Sequence, residues 1–427
     1  MSGISYDKKK LIGTTIIGNI VEYYDFGMYA VFAPIMGDLF FPQQNERMQL
    51  LLTFLIFAIG FFIRPIGGLV FGHIGDKYGR RVALRTSIIG MAVATIGIAL
   101  LPPYETIGIW APLLLVVIRL VQGLCIGGEG TGSAIYILEH LKSGKLSMVG
   151  SIVMSSNIIG TLLANVTGLL IIQLLGLDPI TWRYGFALGA LMGLVGAYFR
   201  HKNEESPVFQ SLKNEKALKK IPLFDVLRRK KFAVVSLIIT TGAVVSISYL
   251  IRGYLNAFFS EVMGYSEQEG MIYSIFALIT LVLFLPISGY IADRLGYSNT
   301  MMFAAFGIAL WATPLFSMIS NPYHNKLEIY QGLFGLSLLT ALIAAPLYPY
   351  AMRLFPPELR YSGVALGYNL GNAVFGGTTP LLCTLLVDKI DRYSPPLYLM
   401  VTSSLFIAMN IVMIIMINLI KKKQRSK

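Results

Sequence analysis

Charged side chains are scarce in this chain. They make up 13 % of its 427 residues, against roughly 25 % in an ordinary soluble protein, and they crowd into short stretches between long apolar runs. With 55 % hydrophobic residues, this scarcity excludes a solvated globule and points to an integral membrane protein. Cysteine is nearly absent: Cys125 and Cys383 both fall inside apolar runs, which argues against a disulfide framework. The four histidines, His73, His140, His201 and His324, are scattered over loops and run ends, and no His-Glu-x-x-His occurs, so no metal-hydrolase constellation is formed. There is no Gly-x-x-x-x-Gly-Lys-Ser/Thr loop to cradle nucleotide phosphates, which excludes an ATP-driven pump of that type. Lys8 to Lys10 precede the first apolar run as in a signal peptide. That run is too long, carries two carboxylates and lacks a small-residue cleavage site, so it is expected to stay as the first span.

What is present is a series of twelve apolar runs, each near the ~20 residues a spanning helix needs: about 11–36, 49–72, 82–101, 110–138, 148–176, 183–200, 232–258, 271–290, 299–319, 329–353, 362–387 and 397–420. An internal repeat organises them. Gly72-His73-Ile74-Gly75-Asp76-Lys77-Tyr78-Gly79, followed by Arg80-Arg81, and Gly289-Tyr290-Ile291-Ala292-Asp293-Arg294-Leu295-Gly296 share one pattern at an offset of 217 residues. Each copy follows the second run of its half. The expected fold is therefore all-α and integral to the membrane, with twelve transmembrane helices in two six-helix bundles related by pseudo-two-fold symmetry. Residues 1–200 form the first bundle, 201–231 a polar linker with a surface helix near 208–220, and 232–427 the second bundle with a short basic tail. Internal repeats of this kind place the binding site of a secondary transporter between the halves, near the bilayer midplane.

Charge distribution sets the orientation. With the N-terminus cytoplasmic, the inner segments hold 27 Lys and Arg and the outer loops 4, so the positive-inside rule places both termini in the cytoplasm. The net charge of +13 is then a membrane-topology signal and calls for no nucleic-acid partner.

Ionisable groups in mid-span are costly, about 2.5–3.5 kcal/mol each on insertion scales, and persist where they face a cavity or a partner. Six occur: Glu22 and Asp25 in helix 1, Arg64 in helix 2, Arg119 and Glu129 in helix 4, and Arg252 in helix 7. Glu22, Asp25 and Tyr29 share one helical face. Two carboxylates so close in low dielectric suit a group that takes up and releases a proton; neutralising Arg64 is the structural alternative. Arg119, Gln122 and Glu129 form a polar stripe on helix 4, among glycines spaced for close helix packing. Helix 11 carries Tyr368, Asn369 and Asn372 ahead of Gly376-Gly377-Thr378-Thr379-Pro380, a break of the kind tolerated where freed backbone lines a cavity. Asn157, Asn165 and Gln173 lie on one face of helix 5 and are weaker candidates. Arg252 has no acid at its depth in helices 7 to 12, so it is expected to meet a substrate carboxylate or an acid of the first bundle, Glu22 or Asp25. Asn256, one turn on, is a further substrate candidate.

The segments Gly18-Asn19-Ile20-Val21-Glu22-Tyr23-Tyr24-Asp25-Phe26, Arg64-Pro65-Ile66-Gly67-Gly68, Arg119-Leu120-Val121-Gln122-Gly123 with Gly127-Gly128-Glu129, Glu205-Ser206-Pro207-Val208-Phe209, and Phe355-Pro356-Pro357-Glu358-Leu359-Arg360 with Gly376-Gly377-Thr378-Thr379-Pro380 resemble the major facilitator superfamily. Within it they resemble the metabolite:proton symporter family of proline/betaine, α-ketoglutarate, citrate and shikimate carriers. The resemblance implies proton-driven uptake of a small polar metabolite by alternating access, by a monomer in the bacterial inner membrane, with the proton gradient as energy source and no cofactor. It implies a conformational latch at Asp76, Arg80 and Arg81, with a weaker counterpart at Asp293 and Arg294, and proton coupling at Arg119. Two departures stand out. The second motif copy lacks the basic pair, and Arg252 and Asn256 stand where relatives carry an uncharged residue and a proline. An exporter of the same superfamily, or a substrate sensor with a transporter fold, remain alternatives.

Overall fold

The computed structural model describes residues 3–78, 80–127, 138, 145–176, 180–201, 230–321, 326–355 and 357–425, in places by backbone alone. The expected linker helix near 208–220 lies outside them. Every regular element among the described residues is helical, because in hydrocarbon a backbone must satisfy its polar groups within the span.

Twelve helical spans follow in order. They are α1 (Gly3–Val31, resuming as Ala33–Phe40), α2 (Glu46–Phe62, resuming as Arg64–Tyr78), α3 (Arg80–Leu100), α4 (Trp110–Ile126), α5 (Leu146–Leu175) and α6 (Trp182–His201). The second set is α7 (Lys231–Tyr249 and its continuation to Val262), α8 (Glu267–Leu295), α9 (Tyr297–Ser320), α10 (Lys326–Ala344, resuming as Leu347–Leu354), α11 (Pro357–Gly371 and Thr379–Lys389) and α12 (Pro395–Arg425). Proline accounts for three interruptions: Pro34, Pro65 and Pro346 each sit at or beside the break, where a missing N–H and a ring clash stop the ladder. In α11 the expected break is a π-helical turn, Asn372–Gly376. Its freed carbonyls are answered locally: Thr379 Oγ1 donates to Phe375 O at 2.6 Å and Tyr398 Oη to the same oxygen at 3.1 Å. Helix α7 holds two further π turns that the sequence pattern does not announce, Leu250–Tyr254 and Phe258–Val262. Wide turns of this kind cluster at functional sites, and Arg252 stands in the first.

Small residues set the helix spacing. A side chain at Gly67, Gly123 or Gly127 would drive into the carbonyl oxygens of Leu124, Gly60 and Arg64 respectively, so α2 and α4 touch backbone to backbone. The glycine spacing of helix 4 is thus a packing device. Across the bundles, α5 runs along α8 and α2 along α11, while α1 faces the first π turn of α7. These inter-bundle seams enclose the polar interior.

Candidate functional site

Asp25 stands inside the first bundle, 2 % exposed. Thr95 Oγ1 of α3 lies 2.9 Å from its Oδ1, and Gln122 Nε2 of α4 donates to Oδ2 at 2.6 Å. Arg119 Nη1 donates to Gln122 Oε1 at 2.8 Å, so one amide bridges the cation to the carboxylate. The Arg119 guanidinium lies 3.6 Å from the centroid of the Tyr29 ring, and Tyr29 is held by its Oη donating to Thr53 O at 3.0 Å. The polar stripe of helix 4 and the acid face of helix 1 therefore meet, with Thr95 as a member that a lone threonine in an apolar run did not reveal. Glu129 lies outside the described residues.

Arg64 opens the second part of α2, directly after the break. It makes no ion pair with a described residue; its guanidinium is sandwiched 4.0 Å from Phe61 and 4.5 Å from Phe26. Asp25 turns instead to α3 and α4, because the break at Ile63 sends the Arg64 side chain between the two rings.

Between the bundles a small, partly enclosed cavity of about 20 Å³, on the order of one water, is lined by Tyr23 of α1, Asn157 of α5, Ser248 and Arg252 of α7, Thr340 of α10 and Tyr368 of α11, with apolar residues between them. Arg252 lies over the rings of Tyr249 at 4.0 Å and Tyr23 at 4.8 Å. It pairs with no carboxylate among the described residues, and its Nε is buried without a hydrogen-bond partner. Neither Glu22 nor Asp25 forms an ion pair with it. Glu22 is itself buried and acts on the neighbouring phenols of Tyr23 and Tyr348. Tyr348 and Tyr368 stack at 5.8 Å. The aromatic set Tyr23, Tyr249 and Tyr348 was not singled out by spacing, although Tyr23 adjoins the acids of helix 1.

The remaining candidates close seams. Asn256 is absent from the cavity lining and donates through Nδ2 to Asn165 Oδ1 at 2.8 Å, joining α7 to α5. Asn369 Nδ2 reaches Gly127 O at 3.5 Å, joining α11 to α4. Asn372 donates to its own helix at Tyr368 O, and Gln173 is exposed. At one end of the molecule Arg47 Nη1 meets Asp388 Oδ1 at 3.1 Å across α2 and α11.

At the opposite end the second motif copy has a physical explanation. Asp293 accepts backbone N–H bonds from Ser147 at 2.8 Å and Met148 at 3.0 Å, so a carboxylate of the second bundle caps the N-terminus of α5 in the first, where the helix dipole favours negative charge. Gly289 is required by the same contact, since a Cβ there would lie 2.5 Å from Ser151 Oγ and 2.8 Å from Met148 Cα. Gly296 turns the chain into α9 at φ +92°, a region that suits glycine. Arg294 lies over Tyr290 at 4.6 Å. The side chains of Asp76, Arg80 and Arg81 lie outside the described set. Asp293→Ala is expected to shift the bundles toward opening at this end by about 1–2 kcal/mol, a factor of roughly 5–30. Thiol labelling of a cysteine at Ser151 should rise accordingly, with affinity changed only a few-fold; unaltered labelling would show the cap to be incidental.

Comparison with known proteins agrees with this architecture. The Major Facilitator Superfamily profile matches residues 15–380. The chain is 32 % identical over 406 residues to the glycine betaine/proline/ectoine/pipecolic acid transporter OusA of Dickeya dadantii, covering 92 % of this chain and 80 % of that one. It is 34 % identical to a putative proline/betaine transporter of Staphylococcus haemolyticus (92 % and 84 % covered), and 31 % identical to the proline/betaine transporter of Escherichia coli K12 (91 % and 80 %). Among solved structures, the proton:xylose symporter XylE bound to 6-bromo-6-deoxy-D-glucose superposes with a TM-score of 0.75 over 96 % of this chain and 95 % of that one, at 16 % identity, which is a likeness of fold. The chain therefore belongs to the major facilitator superfamily, alongside these proline/betaine transporters, and is a transporter rather than an enzyme.

Proposed function

We propose that this protein imports a small zwitterionic solute carrying a carboxylate, of the proline or betaine type, together with a proton, by alternating access between bundles 1–200 and 232–427. The observation that carries the reading is Arg252, a cation lining the inter-bundle cavity with no carboxylate among the described residues to answer it. A guanidinium presents a planar fork that matches a carboxylate in two parallel hydrogen bonds, and the named substrates of the relatives are carboxylates. The protein is read as a monomer with both termini cytoplasmic, so the Asp293 end faces the cytoplasm and the Arg47 end the outside, in accord with the 27 to 4 distribution of bases.

Asp25 is the proton carrier in this reading. Thr95 Oγ1 lies 2.9 Å from both Asp25 Oδ1 and Met91 O, and its single proton serves one of them at a time. With Asp25 ionised, the hydroxyl donates to the carboxylate. When Asp25 takes a proton it donates to Thr95 Oγ1, whose own proton turns to Met91 O, so the uncharged acid is as well satisfied as the carboxylate. The change in charge is felt by Arg119 through Gln122. Loss of the negative charge leaves Arg119 with no carboxylate beside it among the described residues and favours a rearrangement that re-exposes it. A substrate carboxylate on Arg252 supplies a counter-charge to the second bundle, so each partner offsets a penalty that would otherwise oppose bundle movement.

Uptake by proteoliposomes tests this directly. Radiolabelled proline should accumulate when the outside is acid, glycine betaine to a lesser extent, and the accumulation should collapse with a protonophore. Sodium-driven accumulation, or binding of both solutes without counterflow, would contradict it.

A further inference from the structure

Resting on the zwitterion reading, we infer that Asn157 is a specificity-determining residue and that the site selects solutes whose nitrogen keeps at least one hydrogen, disfavouring quaternary ammonium compounds. The orphaned polar atoms at the cavity carry the argument. Arg252 Nε is a donor without an acceptor, and Asn157 Oδ1 is an acceptor without a donor; both atoms are buried. Asn157 is 3 % exposed, and both residues line the same cavity. The Asn157 amide also engages the Tyr348 phenol, which Tyr368 engages in turn. A donor and an acceptor left unpaired at residues that line one cavity are complementary to a ligand with a carboxylate at one end and an N–H at the other.

Aromatic rings could hold any onium group, and Tyr23 and Tyr368 supply such surfaces in the cavity lining. An unanswered carbonyl among them changes the preference. A protonated primary, secondary or tertiary amine gives Asn157 Oδ1 the hydrogen bond it lacks. A quaternary ammonium cannot, and it shields the amide from water while leaving the acceptor unpaired, which is the costly half of the hydrogen-bond asymmetry. Glu22, which acts on the phenols of Tyr23 and Tyr348, attracts the positive charge of both classes, and the share of the selectivity that Asn157 carries is what its replacement reads.

The test is a methylation ladder at constant carboxylate: glycine, sarcosine, N,N-dimethylglycine and glycine betaine, each titrated calorimetrically into the detergent-solubilised full chain. Removal of the last N–H, from dimethylglycine to betaine, should weaken binding about tenfold or more, the size of one orphaned buried acceptor. In Asn157→Ala the three N–H ligands should fall toward the affinity of betaine, whose own binding is unchanged or improved. A steric origin predicts instead that betaine alone gains in this variant, and that result would overturn the inference, as would betaine binding as tightly as dimethylglycine to the unaltered protein. Asn157→Asp, which keeps an acceptor, should retain the step. Loss of carboxylate binding in Arg252→Ala with no methylation step in the unaltered protein would leave the zwitterion reading standing and remove this inference alone. A ladder in which no member binds would remove both.

Discussion

Replacing Asp25 by asparagine should abolish accumulation driven by a pH gradient and bring internal solute to the level of passive equilibration, while counterflow exchange persists. Asparagine is close to isosteric with the acid and keeps polar contacts to Thr95 and Gln122, so the expected loss in exchange is within about tenfold, the size of a single hydrogen bond of about 1 kcal/mol. What it removes is the change of charge. With no group to cycle between anion and neutral acid, the Arg119 to Gln122 to Asp25 chain, joined at 2.8 and 2.6 Å, has one state instead of two, and the solute gradient is uncoupled from the proton gradient. Glu22→Gln is expected to act more on affinity, because Glu22 faces the phenols beside the cavity and Asp25 does not. Gradient-driven uptake of normal size in Asp25→Asn, with Glu22→Gln inactive, would exchange their roles.

Truncation of Arg252 should produce the largest change in binding. A hydrogen bond to a charged group contributes about 1.5–3 kcal/mol, so Arg252→Ala is expected to weaken the substrate roughly 10- to 150-fold. Arg252→Lys should fall between, because a point charge replaces a planar fork. The same truncation removes a buried cation that pairs with no carboxylate among the described residues and lies over Tyr249 and Tyr23. The melting temperature of the unliganded detergent-solubilised protein should therefore stay level or rise while affinity drops. A structural role for Arg252 would lower both together, and unchanged affinity would place the substrate elsewhere.

Much of the fold can be read from the chain alone, for reasons particular to membranes. The two motif copies, the helix 11 break and the glycines of helix 4 each carry a local cue: a fixed spacing, a Gly-Pro cluster, a small-residue interval. All three reappear as structure, at Gly289 to Gly296, at the turn Asn372–Gly376 and at Gly67 against Leu124. The site is legible in part. Helical periodicity alone puts Arg119 and Gln122 on one face, and the cost of an acid in mid-span marks Asp25. Thr95 carries no such signal, since one threonine in an apolar run is ordinary, and its role comes from the oxygen of Asp25 placed 70 residues away. Asn256 and Arg64 are conspicuous by type in the sequence, but their neighbours, Asn165 for the first and two phenylalanines for the second, are visible only in the structure.

The sequence by itself determined that the chain enters a membrane and forms helices there, because span length, apolar content and internal backbone bonding are properties of each segment alone. Which helices stand at the centre was decided by tertiary structure. The span Lys231–Val262 and the span Pro395–Ile415 are almost equally apolar, yet 83 % of the apolar 18-residue stretch of the first and 28 % of that of the second is buried within the protein. Lipid is as apolar as leucine, so hydrophobicity gives no preference between a neighbour helix and the bilayer. Close glycine contacts and polar groups meeting across the bundles make that choice, and they bring Arg252, Asn157 and Tyr368 to one cavity.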